Sequence, residues 1–451
     1  MIKRYQNIII SGVISVLGFI LYSTTMLQVY PSGMAVTSGD AAIYAGHIEK
    51  GNINLNHIGY QIMGRALYLV FKDTFPLVII VGFISVFFGA LSLGFCYLIS
   101  KKILGSSRDA MLSTLIVMIA GTYWLYSIVI EIYTMQLFFL WGALYFMLDK
   151  KTYASSLLFF ISLFVSLTSV FFGPVLAYVT YKNKSFKRFA FCVALSAALY
   201  LLVSYEEIFY VLKGGSAGLH IVAPLANAYY MTQSFLFFLP LGLIGTYKIY
   251  KKDFGTLKII LFAALPYTYF VFFNWDHGVF LLPTYVFISS LVIYMIRDIA
   301  SFKNRYFMGI IYAIFFSLEL SLVVSPVIEE SAIFDNFIKT TSNYVHDNVL
   351  YTRYDYGEIY RNVMKSDYES YMMPYYDVKK SIDLVNKEKS TLVLDLEKSR
   401  IDQKNIRDYH PLILSDYKFN AISCSNTFHT YTKWIWMLQE NRYCIYELRK
   451  Q

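Results

Sequence analysis

The stretch FPLVIIVGFISVFFGALSLGFCYLIS, residues 75–100, holds no charged side chain over its whole length. About 20 apolar residues cross the hydrocarbon core of a bilayer as a helix. Only helices and closed barrels satisfy every backbone polar group there, and runs this continuous exceed a barrel strand. The same pattern recurs in Met111–Tyr126 and Ser155–Thr168. Over 451 residues the chain is 57% hydrophobic and 15% charged, against about 25% charged for a soluble domain. These runs predict an all-α polytopic membrane domain.

The formal charge is +9. Its distribution argues against a nucleic-acid partner, because the basic residues fall in short loops between apolar runs. Examples are Lys101, Lys102 and Arg108, then Lys150 and Lys151, then Lys182, Lys184, Lys187 and Arg188. Cytoplasmic loops of membrane proteins carry this excess. Lys3 and Arg4 place the N-terminus in the cytoplasm, and the first run, 8–28, is expected to be a retained span rather than a cleaved leader. Further spans are expected at 76–99, 110–127, 131–148, 189–204, 225–248, 257–273, 279–296 and 306–325. The segment 154–181 is basic at both ends, so two short helices meeting near Ser169–Gly173 are expected there, with Pro174 opening the second. That makes about eleven helices, with basic loops on one side throughout.

Beyond residue 326 the composition turns polar and aromatic. Val349–Tyr354, Thr391–Leu396 and Tyr443–Leu448 read as strands of a small C-terminal α/β domain outside the membrane. The expected division is therefore a membrane domain, 1–326, with a first outer loop at 29–75, and an extracytoplasmic domain, 327–451. Cys424 and Cys444 lie in the latter; a disulfide and two thiols are both open readings. Cys96 and Cys192 lie in spans, as packing residues.

Three polar features fall on the outer side. In Thr37-Ser38-Gly39-Asp40, Thr37 or Ser38 can cap a helix ending near Gly51. Asp40, Tyr44 and His47 then share one helix face. Asp40 equally suits the first turn of a helix simply because the dipole favours an acid there. The same loop carries His57, Tyr60 and Arg65. The second feature is Glu131, an acid in an apolar stretch at the outer end of a span; at membrane depth such a placement is costly and points to function, and an interfacial acid in water is the other reading. The third is Asp276-His277 in the turn Asn274–Gly278, a composition that also suits a plain turn.

The segments Ser38-Gly39-Asp40 and His57-Ile58-Gly59-Tyr60 resemble the first outer loop of GT-C-fold membrane glycosyltransferases, in particular the group that includes the transmembrane protein O-mannosyltransferases. Tyr123-Trp124 with Glu131-Ile132-Tyr133-Thr134, and Asp276 with Phe280-Leu281-Leu282-Pro283, are similar to later segments of that group. The chain departs from the pattern at Ile58, where prolines follow the histidine, at Ala41, where a paired acid is found, and in lacking a histidine within Ser162–Pro174.

The resemblance implies transfer of a sugar, with inversion, from a polyprenyl- or dolichyl-phosphate donor to a glycan, lipid or protein acceptor at the outer face of the plasma membrane. Asp40 would be the general base, a role worth about 10²–10⁴-fold in rate. Glu131 would orient hydroxyls, and Arg65, His57 and Lys213 would neutralise the lipid phosphate; packing for His57 and surface anchoring for Lys213 are equally open roles. Tyr44 and Tyr60 would stack on sugar, although with 41 tyrosines packing is the commoner role. Asp40, Glu131 and His47 could meet around a divalent metal, but no close-spaced ligand motif is present and no cofactor is expected. Other readings are a lipid-linked glycan flippase or transporter, a polysaccharide ligase or polymerase, and a non-catalytic relative. No internal repeat of the transporter kind is visible.

Overall fold

The structure is a computed structural model, and it describes residues 2–29, 38–52, 57–199, 222–270, 279–297, 299 and 305–346. In the C-terminal region it describes 349–352, 371–372, 391–398, 417–425, 428–431 and 438–450. The chain divides into two compact units, Met1–Met26 with His47–Val324, and Leu27–Gly46 with Ser325–Gln451.

The first unit is helical. Helix α1 spans Ile2–Thr25, α2 Ser38–Lys50 (shared with the second unit), α3 Ile58–Phe71 and α4 Leu77–Leu104. Then come α5 Ser107–Ile119, α6 Gly121–Ile128, α7 Tyr133–Leu148, α8 Thr152–Val165 and α9 Gly173–Lys182. Helix α10 covers 186–199, followed by α11 Val222–Phe235, α12 Phe238–Lys252, α13 Phe254–Phe270, α14 Tyr285–Ile296 and the helix Arg305–Glu319.

Helix α4 contains the decisive apolar run. It stops where Gly105 takes a left-handed φ of 75°, and Lys101 and Lys102 in its last turn complement the helix dipole. Ser106 then caps α5, accepting a hydrogen bond from the Asp109 amide. Small residues let α1 and α4 approach closely: a Cβ on Gly94 would stand 2.7 Å from Ser11 Oγ and 2.9 Å from Ser15 Oγ. The opposite face of α1 leaves Ile8, Ile9, Val13, Val16 and Ile20 exposed. A row of this kind suits lipid and not water. In the interior, Tyr123 stacks on Trp141 at 6.0 Å, the Tyr123 hydroxyl donates to the Gly89 carbonyl, and the Trp141 indole donates to the Pro283 carbonyl.

Among the described residues, Tyr5–Thr25, Leu77–Leu104, Val279–Ile296 and Tyr306–Thr341 are long and apolar enough to cross a membrane. Two segments expected as straight rods are broken. The 110–127 span bends by 63° between α5 and α6, and the 225–248 span bends by 97° between α11 and α12. The second bend passes through Leu236, a non-glycine residue at φ 43°. The 154–181 segment does form two short helices, α8 and α9, joined by a 3₁₀ turn at Leu167–Phe172. Pro174 lies in the first turn of α9, where its missing N–H costs no helix bond.

The second unit opens its C-terminal part with a 22-residue helix, Ser325–His346, where the polar tail had been expected to begin after Pro326. Pro326 follows directly on the π-helical turn Leu320–Val324, where the backbone already departs from the regular α-helical ladder, and the helix runs on through it. Strands β1 Val349–Thr352, β2 Tyr371–Met372, β3 Thr391–Lys398, β4 Tyr417–Cys424, β5 Phe428–Tyr431 and β6 Leu438–Lys450 form one mixed sheet. Its order is β2-β1-β3-β6-β4, with β5 also on β6. The β1–β2 and β1–β3 pairs are parallel and the pairs of β6 antiparallel. Cys424 and Cys444 face each other across β4 and β6 and are joined as a disulfide.

Candidate active site

Glu131 lies in the short non-helical link between α6 and α7. Helix α6 ends because Val129 is extended, at φ −106° and ψ 161°. Glu131 is 1% exposed. Its backbone is held from both directions by Ser85 of α4: the Ser85 hydroxyl donates to the Glu131 carbonyl at 2.9 Å and accepts from the Glu131 amide at 3.1 Å. Three residues on, the Thr134 hydroxyl donates to the Ser85 carbonyl. A buried serine on an apolar helix thus takes up the polar groups that the break exposes, as a non-helical segment at membrane depth requires.

Tyr60 of α3 completes this group. It is fully buried, and its phenol is within electrostatic range of the Glu131 carboxylate and beside Ser85. Burial pushes the phenol well above its ordinary value, the Glu131 charge adds to that, and the Ser85 hydroxyl opposes it. Tyr60 is therefore a neutral O–H that can donate to a carboxylate or a substrate oxygen.

His57, at the entry to α3, has its Nδ1 2.9 Å from the Val165 carbonyl at the end of α8. A carbonyl only accepts, so Nδ1 carries the proton. Burial lowers the affinity of the ring for a second proton, and the Val165 bond opposes this in part. His57 is accordingly a neutral imidazole tied to α8, not a cation for a phosphate. Gly59 makes this approach possible, since a Cβ there would stand 3.2 Å from Val165 Cγ2.

Arg65 is also committed to the fold. Its Nη1 donates to the carbonyls of Ile48 and Glu49, at 2.8 and 2.6 Å, at the C-terminus of α2. There the cation meets the negative end of the helix dipole, a favourable placement worth about 0.3–1 kcal/mol. Gly51, at φ 75°, closes α2 next to the guanidinium. Helix α2 therefore ends where the sequence places its end.

Asp40 is the third residue of α2, with Tyr44 and His47 one and two turns further on along the same face. Tyr44 is buried and His47 half-buried. Lys213, Asp276 and His277 lie outside the described residues. Among the described residues no group of three or more His, Cys, Asp or Glu is placed to hold a metal.

Sequence reasoning did not single out Ser85 or Gln136. Gln136 of α7 donates from Nε2 to Thr168 Oγ1 at 2.8 Å and to Ser169 Oγ at 2.9 Å. The Ser169 hydroxyl donates to the Ser162 carbonyl and the Tyr267 hydroxyl to the Thr168 carbonyl. These bonds stitch the 3₁₀ turn between α8 and α9 to α7 and α13. The available signal was an amide and a serine inside runs otherwise apolar.

No family model matches the chain, and no curated protein matches it in sequence. Among solved structures it is similar to ArnT from Cupriavidus metallidurans bound to undecaprenyl phosphate, with a TM-score of 0.63 and 9% identity over 97% of each chain. It is likewise similar to ArnT from Cupriavidus metallidurans in the apo state, with a TM-score of 0.62 and 9% identity over 99% of this chain and 98% of that one. At such identity the likeness is one of fold: this chain has the polytopic membrane fold of ArnT, a GT-C-fold glycosyltransferase.

Proposed function

We propose that the protein is an integral membrane glycosyltransferase that moves a sugar from a polyprenyl-phosphate carrier to an acceptor at the extracytoplasmic face, with inversion at the anomeric carbon. The observation that carries this reading is Glu131, a buried carboxylate on a helix break, anchored by Ser85 and faced by a neutral tyrosine. A buried acid beside a hydroxyl donor, on backbone held rigid by its neighbours, suits a site that orients sugar or acceptor hydroxyls. The fold likeness supports the donor class, because one of the similar structures is of ArnT with undecaprenyl phosphate bound.

In this scheme Asp40 is the general base. The acceptor hydroxyl gives it a proton while the acceptor oxygen bonds to the anomeric carbon. The carrier leaves as its phosphate. Arg65 and Lys213 are the cations assigned to that phosphate, Arg65 through guanidinium nitrogens other than Nη1. Tyr44, His47, Tyr60, Asp276 and His277 complete the assigned substrate-binding set, and His57 acts by holding α3 in place. The Cys424–Cys444 disulfide supports an oxidising compartment for the C-terminal sheet, and hence an outer location for it.

The test is reconstitution of the full chain in lipid with a polyprenyl-phosphate sugar, with product anomeric configuration read by NMR. It is paired with mass spectrometry of cell-surface glycans with and without the protein. Asp40→Asn is expected to lower transfer by about 10²–10⁴-fold. Full transfer by that variant removes the base assignment, and surface glycans unchanged by loss of the protein remove the reading altogether.

A further inference from the structure

Away from Glu131, three departures from regular helix come together within the first unit. One is the break before α6. The second is the sharp bend after α11, next to Leu236 at φ 43°. The third is a π-helical turn, Leu320–Val324, directly after Glu319. Such turns widen the backbone and recur at functional sites. Glu319 is fully buried; its carboxylate faces the Gly121 amide at the start of α6, and no other hydrogen-bond partner of its oxygens is found among the described residues. The carboxylate stands at the N-terminus of α6, so close that a Cβ on Gly121 would collide with Oε2.

A set of hydroxyls adjoins it. Thr122 Oγ1 and Ser234 Oγ share a hydrogen bond, the Thr122 amide donates to Ser234 Oγ at 3.3 Å, and the Tyr285 hydroxyl donates to the same oxygen at 2.9 Å. Tyr285 lies within electrostatic range of Glu319. The residues come from α6, α11, α14 and the Arg305–Glu319 helix, which the chain brings together from four distant stretches.

An ionised carboxylate in an apolar interior is very costly unless it is paired. The helix N-terminus supplies the equivalent of about half a charge and leaves the rest unbalanced. A protonated acid would need an acceptor for its O–H, and neither oxygen has one among the described residues. Ser234 Oγ is filled, since it accepts from the Thr122 amide and from Tyr285; the oxygens that keep lone pairs are the carboxylate and the hydroxyls of Thr122 and Tyr285, the ligands of a hard cation. One negative charge, partly offset by a helix end, matches one positive charge and not two. Broken helices frame cation sites in membrane proteins for the same reason, since they free polar backbone at membrane depth.

We propose that Glu319, with the hydroxyls of Thr122 and Tyr285, forms a binding site for one dehydrated monovalent cation of the sodium class, with Ser234 holding those two hydroxyls together. The ion ties the start of α6 to the Arg305–Glu319 helix. Helix α6 is about 12 Å long, at 1.5 Å per residue, and its far end leads into Glu131. Occupancy at Glu319 therefore steadies the helix that presents Glu131, whatever reaction Glu131 serves.

The test uses the purified full chain in lipid nanodiscs. Thermal unfolding is followed by tryptophan fluorescence in sodium, potassium and choline chloride at equal ionic strength, and ²²Na⁺ binding is measured at equilibrium. The expected result is one sodium bound per chain and a saturable rise of a few degrees in midpoint over choline, as a ligand specific to the folded state produces. Glu319→Gln is expected to lose both effects. Should that variant not fold, Thr122→Val is expected to weaken sodium binding about tenfold. Equal midpoints in the three salts overturn the proposal, as does absence of bound ²²Na⁺ in the wild type. Sodium dependence retained in Glu319→Gln, or a response to magnesium or calcium in place of sodium, also overturns it.

Discussion

Ser85 and Glu131 are bonded in both directions through a single hydroxyl, which donates to the Glu131 carbonyl and accepts from the Glu131 amide. Both protein groups are buried, so losing the hydroxyl strands a donor and an acceptor together. Leaving one such group unsatisfied costs about 1–3 kcal/mol. Ser85→Ala is therefore expected to lower stability by at least that much. It should also lower transfer, because Glu131 loses its fixed backbone. Thermal unfolding and a transfer assay on the same preparation check both effects.

Glu131→Gln keeps the volume of the side chain and removes its charge. The expected outcome is reduced transfer with little change in unfolding midpoint, since a neutral amide is easier to bury than a carboxylate. Tyr60→Phe, which removes only the neighbouring hydroxyl, is expected to give a smaller loss in the same assay. A Glu131→Gln variant with wild-type turnover would remove Glu131 from the site.

His57 predicts a pH dependence. Its pKa in the folded protein lies below the ordinary value, chiefly because the ring is buried. The unfolded chain then binds the proton more readily than the folded one, so stability rises with pH through this window. The contribution is complete above the unfolded histidine value of about 6.5 and is lost progressively as pH falls from there toward the folded value. Unfolding midpoints measured from pH 5 to 8 are expected to fall toward the acid end in the wild type, and to fall less in His57→Asn.

Arg65 closes the C-terminus of α2 through two carbonyls. Hydrogen bonds to charged groups contribute about 1.5–3 kcal/mol when buried, and Arg65 is half-buried, so Arg65→Ala is expected to cost about 1 kcal/mol. Arg65→Lys keeps the charge but not the rigid planar guanidinium whose Nη1 reaches both carbonyls, and is expected to recover only part of it. Hydrogen exchange of the α2 amides separates this local fraying from global loss of structure.

The Cys424–Cys444 disulfide closes a loop with a sequence separation of 20. In the chain-entropy account a loop of this size contributes roughly 3 kcal/mol. Reduction, or Cys424→Ser with Cys444→Ser, is expected to expose the C-terminal sheet to limited proteolysis while the helical part keeps its far-ultraviolet helix signal.

By itself the sequence determined what depends on neighbours along the chain. Helix α4 was legible because an uncharged run of that length has one stable form in lipid. The end of α2 at Gly51, the two short helices around Pro174 and the strands at Val349, Thr391 and Tyr443 were legible for the same local reasons of capping and pattern. Tertiary structure alone decided the rest. No proline marks the break between α5 and α6; the chain turns where Gly121 meets Glu319, an acid inside the apolar run 306–325 whose neighbour the sequence does not name. Whether Cys424 and Cys444 pair depended on the register of β4 against β6. Ser85 reads as one small residue among many, and it becomes the anchor of Glu131 only when two helices pack. Hydropathy is a sum over adjacent residues, whereas a buried polar group is satisfied by whatever the fold brings to it from far along the chain.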